Sequence, residues 1–241
     1  MHDRRVARII TPGTLIDENF IDPYSNNYIL AIHAENILAS KTKCELRGHS
    51  RCRPMPLGLA WLDLSTGSFF TQSTTLSTLP SDLSRIAPRE VVLDESLQAV
   101  QDNQLFSIIG DDRLLITYYP SPYPTRIENW TSMLETEFSP DAIKEFTLEE
   151  ITAGSLLIHY VRTRLKNSTI RLQHPLRYQA METMGIDKNS MRALEIKETM
   201  RDGTKQGSLL HSMRRTVTRS GARLLEEWLS ISPHVKRNRR S

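Results

Sequence analysis

The spacing of apolar residues changes partway along this chain, and the change predicts its organisation. In the first half, apolar residues come in short runs or alternate, as strands do; in the second they recur at three and four, as helix faces do. Val6 to Ile10 is a short apolar run halted by Thr11-Pro12-Gly13-Thr14, where proline fixes one backbone angle and glycine frees the next. Tyr28-Ile29-Leu30-Ala31-Ile32, after Asn26-Asn27, reads as a strand. Leu57 to Leu64 reads as a second, and Ser65-Thr66-Gly67 turns it into Ser68-Phe69-Phe70-Thr71, a hairpin. Leu76, Leu79, Leu83 and Ile86 share one face of a short helix that starts near Pro80 and stops at Pro88. Glu90-Val91-Val92-Leu93-Asp94 reads as a buried strand, and Leu114 to Tyr119 as another. Strand, hairpin, helix, strand implies a mixed α/β domain, which Pro120, Pro122 and Pro124 close, with Trp130 a little beyond.

The second half reads as mostly helical. Thr147-Leu148-Glu149-Glu150 has the capping-box pattern, in which the threonine accepts from a first-turn amide and the glutamate reaches back. Ile151, Gly154, Ile158, Val161 and Leu165 then lie on one helical face. Leu176, Tyr178, Ala180, Met184 and Ile186 keep a period of two, a strand pattern. Asp187 is placed to cap a helix through Met191 and Leu194. Leu209, Leu210, Met213 and Val217 continue at helical spacing, and Thr218 is placed to cap a last helix carrying Leu224, Leu225, Trp228 and Leu229 before Pro233. There is no internal repeat and no long low-complexity tract.

Composition adds little until charge is located. The 241 residues are 39% hydrophobic and 24% charged, ordinary for a globular protein able to bury a core. A net charge of +3 is a mild excess, but it is clustered: Arg47, His49, Arg51 and Arg53; Arg162, Arg164, Lys166 and Arg171; Arg214, Arg215, Arg219 and Arg223; and Lys236, Arg237, Arg239 and Arg240. Each group either neutralises phosphates or is a solvated face. Two cysteines do not make a disulfide scaffold and fit a reducing compartment. No apolar run is long enough for a membrane span, and no apolar segment at the start reads as a secretory signal. The abrupt start, Met-His-Asp-Arg-Arg-Val, is what a piece of a longer protein would show.

Three constellations offer candidate chemistry. Asp63 ends a buried strand, where RNase-H-like nucleases hold Mg²⁺, but two-metal hydrolysis needs two or three converging carboxylates. Glu90, Asp94 and Glu95 are the nearby-strand candidates, and the favoured reading is that Asp63 bonds the turn amides. Cys44, His49 and Cys52 could offer three zinc ligands, but the spacing matches no common site and a fourth ligand is missing, so a basic loop with two thiols is preferred. Gly203-Thr204-Lys205-Gln206-Gly207-Ser208 lacks the glycine spacing and following lysine of a phosphate loop, and reads as a turn before the helix at Leu209. No catalytic, cofactor or metal residue is assigned from the sequence.

Several stretches resemble the MutS family of DNA mismatch-repair ATPases. Arg8-Ile9-Ile10-Thr11-Pro12-Gly13-Thr14 looks like the family's link between mismatch-binding and connector domains, and Asn27-Tyr28-Ile29-Leu30-Ala31-Ile32 like the first connector strand. Leu59-Ala60-Trp61-Leu62-Asp63-Leu64-Ser65-Thr66-Gly67-Ser68-Phe69 is similar to the central hairpin. The most specific stretch, Met184-Gly185-Ile186-Asp187-Lys188-Asn189-Ser190-Met191-Arg192-Ala193-Leu194-Glu195-Ile196, looks like the start of the core domain. Gly207-Ser208-Leu209-Leu210, Thr216-Val217-Thr218, Gly221-Ala222-Arg223-Leu224-Leu225 and Trp228-Leu229 follow in the family's order. Within the family, the linker and hairpin resemble the bacterial and mitochondrial branch.

The resemblance implies a division into residues 1–14 as the end of a mismatch-binding domain and linker, 15–135 as an RNase-H-like connector, and 136–241 as the start of a helical core. It implies an internal fragment without enzymatic activity of its own, because the family's Phe-x-Glu wedge lies upstream and its phosphate loop downstream. ATP and Mg²⁺ belong to the complete relative, as do double-stranded mismatched DNA, a MutL-type partner and dimerisation; no membrane is involved. A mitochondrial setting is preferred to a nuclear one. The chain departs from the family pattern in the loop from Glu35 to Pro56, which is longer than usual, and in Ser232-Pro233-His234-Val235 with the basic tail, as expected of a truncated product. The rival readings are a metal-dependent nuclease centred on Asp63 and a stand-alone basic nucleic-acid-binding module.

Overall fold

The computed structural model describes residues 9–15, 22–34, 56–99, 104–110, 114–125, 130, 145–165, 172–179, 183, 184, 186, 188–230 and 232–233. By its contacts the chain forms two compact units: Met1–Ile21, Asn27–Ser77 and Pro88–Tyr178 make the first; Asp22–Asn26, Thr78–Ala87 and Gln179–Ser241 make the second.

The first unit is built on a six-stranded mixed sheet. Its strands are β1 (Tyr28–Ala34), β2 (Pro56–Asp63), β3 (Ser68–Thr75), β4 (Glu90–Asp94), β5 (Leu115–Tyr119) and the two-residue β6 (Leu176–Arg177), in the order β5-β4-β1-β2-β3-β6. β1, β2 and β3 are antiparallel neighbours; β4 pairs with β1, β5 with β4 and β6 with β3, all parallel. This is the RNase-H-like arrangement expected, followed by a helical region. Val91, Val92 and Leu93 have no exposed surface, and neither do Leu30, Ala31 and Ile32, so both faces of these central strands are covered. Burial on both sides is why they read as continuous apolar runs without alternation.

Helix α3 (Leu148–Leu165) lies against this sheet and forms one apolar cluster with Ile29, Ala31, Ala60, Leu62, Phe69 and Val92. (Helices α1 and α2 are Leu79–Ile86 and Gln104–Gly110.) α3 thus belongs to the first unit, beyond the boundary at residue 135 suggested by resemblance. The change of period marks a change of element, not of domain: α3 is buried around most of its circumference and needs the sheet as a partner. Gly58 on β2 makes the approach possible, because a Cβ there would overlap the backbone of Glu149 at the first turn of α3. Gly154 serves Trp130 likewise, since a Cβ on it would occupy the space of the indole.

The second unit contains α1, α4 (Lys188–Ala193), α5 (Leu209–Met213) and α6 (Arg219–Ser230), with a small ribbon of β7 (Thr183–Met184) and β8 (Ser232–Pro233). Among the described residues, the strand anticipated over 176–186 is represented by β6 in the first unit and β7 in the second. α1 carries proline in its first turn and ends on Ala87 in the left-handed conformation at φ 48°, just before Pro88, and it buries Leu79, Leu83 and Ile86. α5 stops at Met213, sooner than the spacing suggested, and Val217 is 98% exposed. Asp187 lies outside the described residues, as do 35–55 with Cys44, His49, Cys52, Arg47, Arg51 and Arg53, and also Lys166, Arg171 and the basic tail.

Candidate functional site

Of the four candidate metal-binding carboxylates, Asp63, Glu90, Asp94 and Glu95, the first three accept hydrogen bonds that hold the fold. Asp63 is fully buried at the end of β2. One carboxylate oxygen accepts from the Ser65 amide at 2.8 Å and from its hydroxyl at 2.7 Å; the other accepts from the Asn27 amide at 3.0 Å. It therefore closes the hairpin turn and fastens it to the start of β1, the turn-bonding reading of the sequence. Asp94 accepts from the Ser96 amide at 2.8 Å, starting the 3-10 turn Glu95–Ala99, on which Glu95 is exposed. Burial, together with the Asp94 carboxylate, pushes the Tyr123 hydroxyl well above the usual phenol range.

Glu90 is the most heavily used. It has no exposed surface and sits at the start of β4. One oxygen accepts from Thr117 Oγ1 on β5 at 2.8 Å and from the Tyr160 hydroxyl on α3; the other accepts from the Gly13 amide at 3.2 Å. A Cβ on Gly13 would run into Ile29 and Glu90, so that position admits only glycine without rearrangement. The Asn27 side-chain Nδ2 donates to the Pro12 carbonyl at 3.0 Å, and the Ile9 backbone amide donates to the Arg164 carbonyl at 3.1 Å. The segment 9–15 is thereby held at once by β1, β4 and α3. Tyr160 is held neutral: burial raises its hydroxyl pKa, the bond to Glu90 raises it further, and Thr11 and Arg164 only partly oppose this.

A second polar centre lies at the start of α3. The Thr147 amide donates to Glu150 Oε2 at 2.8 Å, and the Glu150 amide donates to Thr147 Oγ1 at 3.3 Å, completing the capping box. Glu150 has no exposed surface and does more than cap. Its Oε1 accepts from Ser73 on β3 at 3.0 Å and from Arg177 Nε on β6 at 3.1 Å. Further along α3, Ser155 Oγ accepts from the Trp130 indole at 3.0 Å, and the indole packs on Phe69 with ring centroids 5.3 Å apart.

In the second unit, the segment 203–208 is a turn. Gly203 and Gly207 have φ of 61° and 95°, and Ser208 caps α5 by accepting from the His211 amide at 3.2 Å. Thr218 caps α6 by accepting from the Gly221 amide at 3.1 Å, as its position suggested. Leu210 is buried, but Leu209, Leu224 and Trp228, expected in a core, are exposed. Helical spacing names a face without naming what covers it. Lys197 pairs with Glu226 at 3.9 Å, and burial holds its ammonium below the usual lysine range.

Among the described residues, no group of three or more His, Cys, Asp or Glu is placed to hold a metal ion, and no helix is long and apolar enough to cross a membrane. The sequence showed that Glu90 begins a buried strand; it gave no sign that Gly13 and Tyr160 would meet there, because those positions are remote along the chain.

Comparison with known proteins agrees with this architecture. The family description "MutS domain II" matches residues 27–175, and "MutS domain III" matches residues 189–239. The DNA mismatch repair protein MutS of Wolbachia pipientis wMel is 33% identical over 229 residues, covering 94% of this chain and 24% of that protein. The MutS protein of Ehrlichia ruminantium (strain Gardel) is 32% identical over 229 residues, covering 94% and 26%. That of Clostridium kluyveri (strain ATCC 8527) is 29% identical over 245 residues, covering 98% and 25%. The chain spans about a quarter of the length of the curated relatives it matches.

Proposed function

This chain belongs to the MutS family, and from that premise we propose that it is a connector and core scaffold, relaying ATP-dependent changes of shape to the binding of mismatched DNA. The observation that carries the reading is the use made of its buried carboxylates. Asp63, Glu90 and Glu150 each accept several hydrogen bonds from different elements, so they fix relative positions. A relay between distant sites needs bodies that move as units, and buried, satisfied polar contacts are what make a body rigid.

On this reading the reactive parts lie in other domains of a complete protein: an ATP- and Mg²⁺-binding domain, and a wedge that kinks the duplex at a mismatch. The complete protein would act as a dimer on double-stranded DNA and dock a MutL-type partner. The resemblance to the bacterial and mitochondrial branch supports a mitochondrial setting.

The test is direct. The purified chain should neither hydrolyse ATP nor cut duplex DNA with Mg²⁺, and sequencing the transcript on both sides should reveal a Phe-x-Glu upstream and a Gly-x4-Gly-Lys-Ser downstream. Turnover by this chain alone, abolished by Asp63→Asn, would favour the nuclease instead.

A further inference from the structure

Proline and glycine in Thr11-Pro12-Gly13-Thr14 are what a flexible link would carry, yet every main-chain N–H of these four residues has an acceptor in the fold. The Thr11 amide donates to Thr14 Oγ1 at 2.7 Å, the Gly13 amide to Glu90 Oε2 at 3.2 Å and the Thr14 amide to Thr11 Oγ1 at 3.4 Å, while proline has no N–H to place. The carbonyls are engaged as well. Asn27 Nδ2 donates to those of Pro12, Gly13 and Leu15 at 3.0, 3.4 and 3.3 Å, and Thr14 Oγ1 donates to that of Thr11 at 3.3 Å. Thr11 Oγ1 also accepts from the Tyr160 hydroxyl on α3 at 3.4 Å. Thr14 and Asn27 are both buried.

The outer end of the segment is tied too. The last four carbonyls of a helix have no partner within it, and the Ile9 amide supplies one to Arg164 in the last turn of α3, at 3.1 Å. The incoming chain thus serves as part of the C-terminal cap of α3. Asn27 is itself fixed, because its own backbone amide donates to the buried Asp63 at 3.0 Å. Its side chain therefore holds the segment from a base anchored in the β2–β3 hairpin turn.

We infer that residues 9–15 are a rigid joint and not a flexible link, with Asn27 as the residue that positions it. Turning the chain about this segment breaks bonds to Asn27, to Glu90 on β4 and to α3 together, so a turn imposed ahead of residue 9 passes into the sheet and the helix. The purpose given to the joint rests on the relay reading; its rigidity does not. Turnover of ATP or duplex DNA by the chain alone would sink the relay and leave the joint standing.

The test is amide hydrogen exchange of the whole 241-residue chain, resolved by residue with nuclear magnetic resonance. In wild type, the amides of Thr11, Gly13 and Thr14 should exchange within about tenfold of those of Leu59, Ala60 and Trp61, which lie in β2 with a paired strand on each side. Asn27→Ala keeps the backbone bond to Asp63 and removes the side-chain donor. It should raise exchange at Gly13 and Thr14 by at least about tenfold more than in β2, since local opening then costs less than global unfolding. Wild-type joint amides exchanging more than about a hundredfold faster than β2 would overturn the joint. Joint and strand amides that stay in step in Asn27→Ala would overturn the role given to Asn27. If that variant does not fold, the wild-type comparison decides alone.

Discussion

Tyr160 on α3 donates its phenolic hydrogen to the carboxylate of Glu90 on β4, and neither side chain has any exposed surface. Seventy positions apart in sequence, the two residues lock the helix to the sheet and, through the Gly13 amide, hold the segment that leads into it. An acceptor shared by three donors is hard to replace, because a buried donor left without a partner costs about 1–3 kcal/mol.

Glu90→Ala is therefore expected to destabilise the chain by at least about 3 kcal/mol, and Tyr160→Phe by about 1–3 kcal/mol. Urea denaturation of both single variants and the double variant measures this. Their effects should be strongly non-additive, since they remove the same contact. Simple additivity would mean that the contact does not stabilise the fold.

Gly154→Ala sets two effects against each other. Alanine in a helix interior is ordinarily favoured over glycine by about 1 kcal/mol. Here a Cβ would overlap the Trp130 indole, and overpacking a close-fitting core costs about 1–3 kcal/mol or more. The net sign should be destabilising, and the near-ultraviolet circular dichroism of tryptophan should change. A more stable variant with an unchanged tryptophan signal would count against this packing.

Thr147→Ala and Glu150→Ala separate capping from bracing. The first removes one cap bond and the contact of the same hydroxyl with Ser73, and should cost about 1–2 kcal/mol. The second also strands Thr147, Ser73 and Arg177, so it should cost clearly more. Thermal melts of the two would rank them, and equal losses would show that Glu150 acts only as a cap.

Alkaline pH should unfold the chain sooner than its ordinary titration would. Tyr123 and Tyr160 are both held above the usual phenol value of 10, by burial first and then by the carboxylates of Asp94 and Glu90. Below pH 10 both hydroxyls stay protonated in the folded and unfolded states, and their contribution is intact. Above it the unfolded chain gives up protons first, so stability falls as pH rises towards the higher folded values. Urea midpoints from pH 8 to 11 should be level at first and then decline, and Tyr160→Phe should flatten the decline.

The local rules were legible from the residues. The hairpin turn, the Thr147–Glu150 box, the Thr218 cap and the proline-started α1 each depend on neighbours within a few positions, and each formed where its residues indicated. Their physics is short-range, so spacing was enough. The placement of α3 was not legible, because its apolar surface could have faced other helices or a sheet, and the close approach of Gly58 to Glu149 shows which fits. The roles of the carboxylates were equally hidden: nothing near Glu90 in the chain announces Gly13 or Tyr160, and nothing near Asp22 announces Lys205. By itself the sequence determined the elements bounded by a turn, a cap or a proline, but not the early end of α5 or the splitting of the strand read over 176–186. Tertiary structure alone decided which polar groups meet, because a buried charge takes its partners from whatever the fold brings within about 3 Å.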